Sequence, residues 1–94
     1  MEFTLERFGN ELYLTLKAIS DSQTEYEGKL YSFITNEEIA KSIYAPIVVA
    51  NATVQDLQQF GCVEIKEMAQ KRAFTMTKFG SEVIKLMSKD NFVG

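Results

Sequence analysis

Val54-Gln55-Asp56-Leu57-Gln58-Gln59-Phe60-Gly61-Cys62-Val63 changes its period within one short stretch. Val54, Leu57 and Phe60 recur every third residue, the spacing of one helical face, and a glycine follows at once. Gly61 can adopt the left-handed conformation that closes a helix. Cys62-Val63-Glu64-Ile65-Lys66 then alternates apolar with polar, as a half-buried strand does. The stretch therefore predicts a helix that stops at Phe60 and passes directly into a strand.

Toward the C-terminus, Arg72-Ala73-Phe74-Thr75-Met76 is a second alternating run, so 62–76 reads as a hairpin whose tip takes in Glu67 to Lys71, five residues or slightly more. Thr77 can cap a last helix over 78–89, with Phe79, Val83 and Leu86 on one face and Ile84 and Met87 on a neighbouring one. Asp90 to Gly94 is expected to fray. Toward the N-terminus, Pro46 suits the first turn of a helix over 46–60. Ile47, Val48 and Val49 are β-branched and Ala45 caps poorly, which leaves a strand as the alternative over 45–50. If the helix forms, Val48, Val49 and Ala52 cannot all face the core, so one or two apolar groups look outward, toward a thymine methyl or a protein partner. Thr35-Asn36-Glu37-Glu38 is a capping box opening a helix over 36–43 that buries Ile39, Ala40 and Ile43. Leu30 to Ile34 reads as a strand, and Asp21 to Lys29 as a loop by composition. Leu5, Phe8, Leu12, Leu16 and Ile19 trace one face of a first helix over 5–20.

The order is helix, strand, helix, helix, strand, strand, helix, an α+β class in a single domain over 1–94. Two helices joined by a short turn at Tyr44 and Ala45, then a hairpin, form a helix-turn-helix with a wing. Val54 to Val63 resembles the end of the recognition helix and first wing strand of winged-helix regulators of the MarR and PadR kind, where Leu-x-x-Leu-x-x-Leu-Gly-Leu-Val is common. Phe74-Thr75-Met76-Thr77-Lys78-Phe79-Gly80 is similar to the junction after their wing, and Glu38-Ile39-Ala40-Lys41 to the start of their second helix. The resemblance spans about residues 10 to 88. It implies binding of double-stranded DNA and a homodimer paired through the first and last helices, where Phe8, Tyr13, Phe79, Met87 and Phe92 exceed the needs of a small core.

Composition narrows the chemistry. The 94 residues are 46% hydrophobic, which suits one small globular domain and not a disordered tail. With no histidine, a His-dependent triad is impossible, and one cysteine with no histidine leaves too few ligands for a zinc site. The lone Cys62 excludes an intrachain disulfide and reads as a small buried hydrophobe, with a disulfide between chains left open. No apolar run approaches ~18 residues, and Glu2 and Glu6 stand where a leader would be basic. The expectation is a cytoplasmic chain with no membrane contact, no metal and no cofactor. Glu37 with Glu38 and Glu25 with Glu27 do not converge on a pocket, so no enzyme is expected.

Ten bases against 13 acids leave a net charge of −3, which argues against a uniformly basic nucleic-acid binder. The charge is unevenly placed, however: residues 1–47 balance to −4 and residues 48–94 to +1. Lys66, Lys71, Arg72 and Lys78 stand against Glu67 alone on the proposed wing, and long cationic side chains there can hold DNA phosphates. In the proposed recognition helix, Asn51 and Gln55 lie toward the N-terminal end, where such helices meet base edges, and their amides can pair with adenine N6 and N7. Gln58 and Gln59 lie too near its end. That helix carries Asp56 and no lysine or arginine. These residues point to a small repressor binding duplex DNA as a dimer; the alternative is a winged-helix interaction module in a larger assembly, without DNA.

Overall fold

The capping box forms as the sequence predicts. Thr35 Oγ1 accepts the Glu38 N–H at 3.1 Å while the Glu38 carboxylate accepts the Thr35 N–H at 3.1 Å. In the computed structural model, which describes residues 5–68 and 70–93 with side chains over 10–68 and 70–87, this box opens α2 (Asn36–Ile43). Around it lie α1 (Leu5–Asp21), β1 (Gln23–Tyr26), β2 (Lys29–Ser32), α3 (Ile47–Gln59), β3 (Val63–Met68), β4 (Lys71–Met76) and α4 (Lys78–Val93). The expected order is present, and β1 is an additional strand within the segment read as loop. The strands form one antiparallel sheet in the order β1-β2-β4-β3.

β1 and β2 meet through Glu27 and Gly28, both at positive φ (52° and 83°), between the facing residues Tyr26 and Lys29. This is the backbone of a tight two-residue hairpin turn. A glutamate at its first position hides the turn from sequence reading, which looks for Asn or Asp there. β2 ends at Ser32, so Phe33 and Ile34 fall outside the strand expected over 30–34. The buried Ser32 hydroxyl shares a 2.6 Å hydrogen bond with Ser22, tying the sheet to the end of α1.

α3 is a helix, and the strand alternative over 45–50 does not occur. Ala50, Thr53, Val54 and Leu57 are all buried at helical spacing. Their tertiary burial outweighs the few tenths of a kcal/mol that each β-branched residue costs a helix. Pro46 is the extended N-cap (φ −64°, ψ 158°) and not a first-turn residue. Leu16, Ile19, Ile39, Val54, Leu57, Val63, Phe74 and Val83 form the center of the core. Burying each large side chain is worth about 1.5–3 kcal/mol. Leu5, Phe8 and Phe92 lie outside the described side chains.

The end of α3 is closed by paired bonds from Gly61 N–H to Gln58 O (3.0 Å) and Cys62 N–H to Leu57 O (2.9 Å), with Gly61 at φ 79°. The Cys62 carbonyl then accepts the Thr77 N–H at 3.1 Å. Thr77 Oγ1 approaches Gly61 O at 2.6 Å and caps α4 by accepting the Gly80 N–H at 2.9 Å. One short junction thus joins the end of α3, both ends of the wing and the start of α4. Gly80 packs so closely on the Cys62 carbonyl that a Cβ would overlap it.

This contact sets the rotation of α4 and corrects the face expected for it. Gly80 and Val83 are buried and Ile84 and Met87 half-buried, an i, i+3, i+4, i+7 set, while Phe79 is exposed and Leu86 is 51% exposed. The helical backbone runs to Val93 and does not stop at 89. The wing tip is also shorter than expected: β3 runs to Met68, which faces Lys71, and Gln70 stands at φ 65°.

Two outcomes follow. Gly80→Ala, favourable by about 1 kcal/mol in an open helix, is expected to destabilise this one by about 1–3 kcal/mol in denaturant melts. The buried Cys62 thiol has its pKa raised to about 11 by desolvation, so both states hold the proton at neutral pH and only the unfolded chain loses it near pH 9. Stability should therefore fall between about pH 9 and 11 by up to ~3 kcal/mol more than in Cys62→Ala. Equal pH dependence of the two proteins would contradict this.

Candidate nucleic-acid interface

Opposite its buried stripe, α3 exposes Val48, Asn51, Ala52 and Gln55, again at i, i+3, i+4 and i+7. Asn51 and Gln55, the sequence candidates for base contact, therefore share one outward face. This face starts beside the turn from α2, where Tyr44 is 94% exposed and Ile47 is 52% exposed. Tyr44 closes α2 at φ 56°, with its N–H on Lys41 O and the Ala45 N–H on Ala40 O at 3.0 Å. A tyrosine in the left-handed region costs about 1–2 kcal/mol against glycine.

Asn36, the first residue of α2, donates from Nδ2 to Asn51 Oδ1 at 3.4 Å. Asn51 Oδ1 keeps a second lone pair beside this bond, and the amide also carries two donors. Sequence reading missed Asn36. The capping box marks its place at the helix start, but no sequence signal relates it to a residue fifteen positions on.

The wing cations are divided between the two sides of the pleat, although Lys66, Lys71 and Arg72 all line one shallow depression along the wing. Lys66 faces Ala73 and Lys71 faces Met68, which puts both lysines on the same side of the pleat, and both are exposed. Arg72 projects from the other side with Phe74. Its guanidinium stacks on the Phe74 ring at 4.5 Å and donates to Ile34 O at 3.3 Å. Burial also lowers its pKa from the ordinary value. Arg72 thus braces β4 against the segment before α2, a role the charge count did not reveal. Lys78 is exposed at the wing base, separated from Lys71 by about 16 Å of strand. Lys71 and Arg72 line an open groove with Phe33, Ile34, Thr35, Asn36 and Glu38, so the groove runs from the wing to the residue that holds Asn51.

Among the described residues, no cluster of three His, Cys, Asp or Glu side chains could hold a metal, and no helix is long and apolar enough to cross a membrane.

Paired helices at a tight turn, an amide-bearing outer face and a following hairpin decide the architecture. The fold is a winged helix. Solved structures of the same fold include a mutant of MepR from S. aureus bound to an oligodeoxyribonucleotide (TM-score 0.72, 18% identity), covering 90% of this chain and 60% of that one. TubR from Bacillus thuringiensis, bound to 24 bp of tubC, matches over 95% of this chain and 99% of its own (TM-score 0.66, 19% identity). BpsR from Bordetella bronchiseptica, whose DNA binding is regulated by 6-hydroxynicotinic acid, matches over 87% of this chain (TM-score 0.67, 12% identity). The chain spans only 54% of BpsR, against nearly all of TubR. No protein-family model and no curated protein matches the sequence.

The division among the wing cations is measurable. Arg72→Ala is expected to lower stability by about 1–2 kcal/mol through lost stacking and an unpaired carbonyl, while Lys71→Ala stays within about 0.5 kcal/mol of the parent. Denaturant midpoints check this, and equal values for the two variants would contradict it.

Proposed function

We propose that this chain is a small winged-helix transcriptional repressor that binds duplex DNA as a homodimer. The observation that carries the reading is the outer face of α3, where Asn51 and Gln55 stand together and solvent-exposed directly after the helix-turn-helix turn. In this reading the start of α3 enters the major groove and its two amides meet base edges. Lys66 and Lys71, on one side of the wing, hold backbone phosphates. Lys78 supports from the wing base, and Arg72 contributes through the brace it forms. Occupying the duplex would exclude other proteins from it, which makes repression by occlusion the simplest outcome. Support comes also from the fold, shared with MepR and TubR, whose solved structures contain DNA.

Pairing of two chains is assigned to the first and last helices. Exposed Phe79 and Leu86 on α4 offer apolar surface for it. The proposed location is cytoplasmic and the proposed activity is binding without catalysis, metal or cofactor. One observation favours a second reading, a protein-interaction module: α3 has no lysine or arginine and begins with exposed apolar side chains.

A fluorescence titration with duplex DNA separates the two. Log K should fall linearly with log[salt], and Lys66→Ala or Lys71→Ala should each flatten the slope by about 0.9, with Arg72→Ala flattening it less. A well-folded chain that binds no duplex at low salt would exclude the repressor. Sedimentation at micromolar concentration should give twice 10.7 kDa, and a monomer would refute the pairing.

A further inference from the structure

We infer that Val48 reads the 5-methyl group of a thymine, so that the duplexes this chain prefers carry an A·T pair where the first turn of α3 enters the groove. The inference rests on the DNA-binding reading above and adds the base chemistry. Val48 is 73% exposed, and no core position is available to it, because Ala50, Thr53, Val54 and Leu57 occupy the inner face of α3. It lies one turn before Asn51 on the same outer face, so a duplex that meets Asn51 also meets Val48. A branched alkyl group can neither hold a phosphate nor pair with a base edge. Among the groups that base pairs present in the major groove, the thymine methyl is the one apolar feature, and contact between the two removes both from water.

Asn51 gives the same preference from its own chemistry. Adenine pairing needs an amide that accepts from N6 and donates to N7, and Asn51 keeps both functions, since the 3.4 Å bond from Asn36 occupies one lone pair of its Oδ1 and leaves the second. An alkyl group and an amide, one turn apart, together match the thymine methyl and the adenine edge of A·T pairs. The absence of cations from α3 fits as well, since the commonest contact to guanine uses arginine or lysine.

The test uses the most enriched duplex selected from a random pool, resynthesised with each thymine replaced singly by deoxyuridine, which lacks only the methyl group. The intact chain should lose about fourfold in affinity at one position per half-site, the worth of one buried methyl-sized group, and nothing elsewhere. Val48→Ala, an exposed substitution favourable to a helix and checked by circular dichroism, should bind the thymine duplex about fourfold more weakly and no longer distinguish deoxyuridine. Indifference of the intact chain to every replacement, with salt-dependent binding retained, would overturn this inference and leave DNA binding standing. A Val48→Ala protein that still distinguishes the two bases would overturn the assignment to Val48. Failure to enrich any duplex would overturn the repressor reading, and this inference with it.

Discussion

The carbonyl of Cys62 fixes the relation among three elements. It accepts the Thr77 N–H, it follows the paired bonds that end α3, and Gly80 rests on it without a side chain between them. Because Gly80 meets the Cys62 carbonyl backbone to backbone, with the Thr77 hydroxyl bonded beside it, the junction leaves little room for sliding, and the interior density of proteins makes such contacts unforgiving. The angle at which α3 leaves the core, the origin of the wing and the rotation of α4 all follow from it. The separation between the outward amides of α3 and the wing lysines is therefore a property of the scaffold and not of a loose loop.

The chain's acidic balance takes on a definite meaning in this frame. Its cations are few, and Arg72 is spent on bracing β4 against Ile34, which leaves Lys66 and Lys71 as the exposed pair on one side of the wing. A surface with so little positive charge gains modestly from nonspecific phosphate attraction. In the proposed DNA-binding reading, discrimination depends more on the α3 face, where Val48, Asn51 and Gln55 offer shape and hydrogen bonding in place of charge. Asn36 links the two helices of the turn at that face.

Much of this was legible in the sequence where local chemistry decides structure. The Thr35 capping box, the stop at Gly61 and the cap at Thr77 each occur where their residue types place them. The outward position of Asn51 and Gln55 follows from helical period once the inner stripe is assigned. Reading failed where the deciding atom belonged to a distant residue or to no side chain. Gly80 is invisible to an apolar pattern, yet its contact with Cys62 turns α4 and exposes Leu86. Glu27 gives no turn signal, so nothing in the sequence marks β1 as a strand. Arg72 counts as a charge in sequence, although it stacks on Phe74 of its own strand and its carbonyl partner, Ile34 O, comes within reach only when β4 lies beside the segment before α2. The hydrogen bond from Asn36 to Asn51 likewise exists only because the turn brings two helix starts together.

The most direct test of the central claim is an amide-resolved NMR titration of the intact chain with duplex DNA at low salt. The account predicts that Val48, Asn51, Ala52 and Gln55 shift together with Lys66 and Lys71, while Gln23 to Ser32 of the β1-β2 hairpin stays unchanged. Shifts concentrated in that hairpin, with the amides of α3 unmoved, would contradict it.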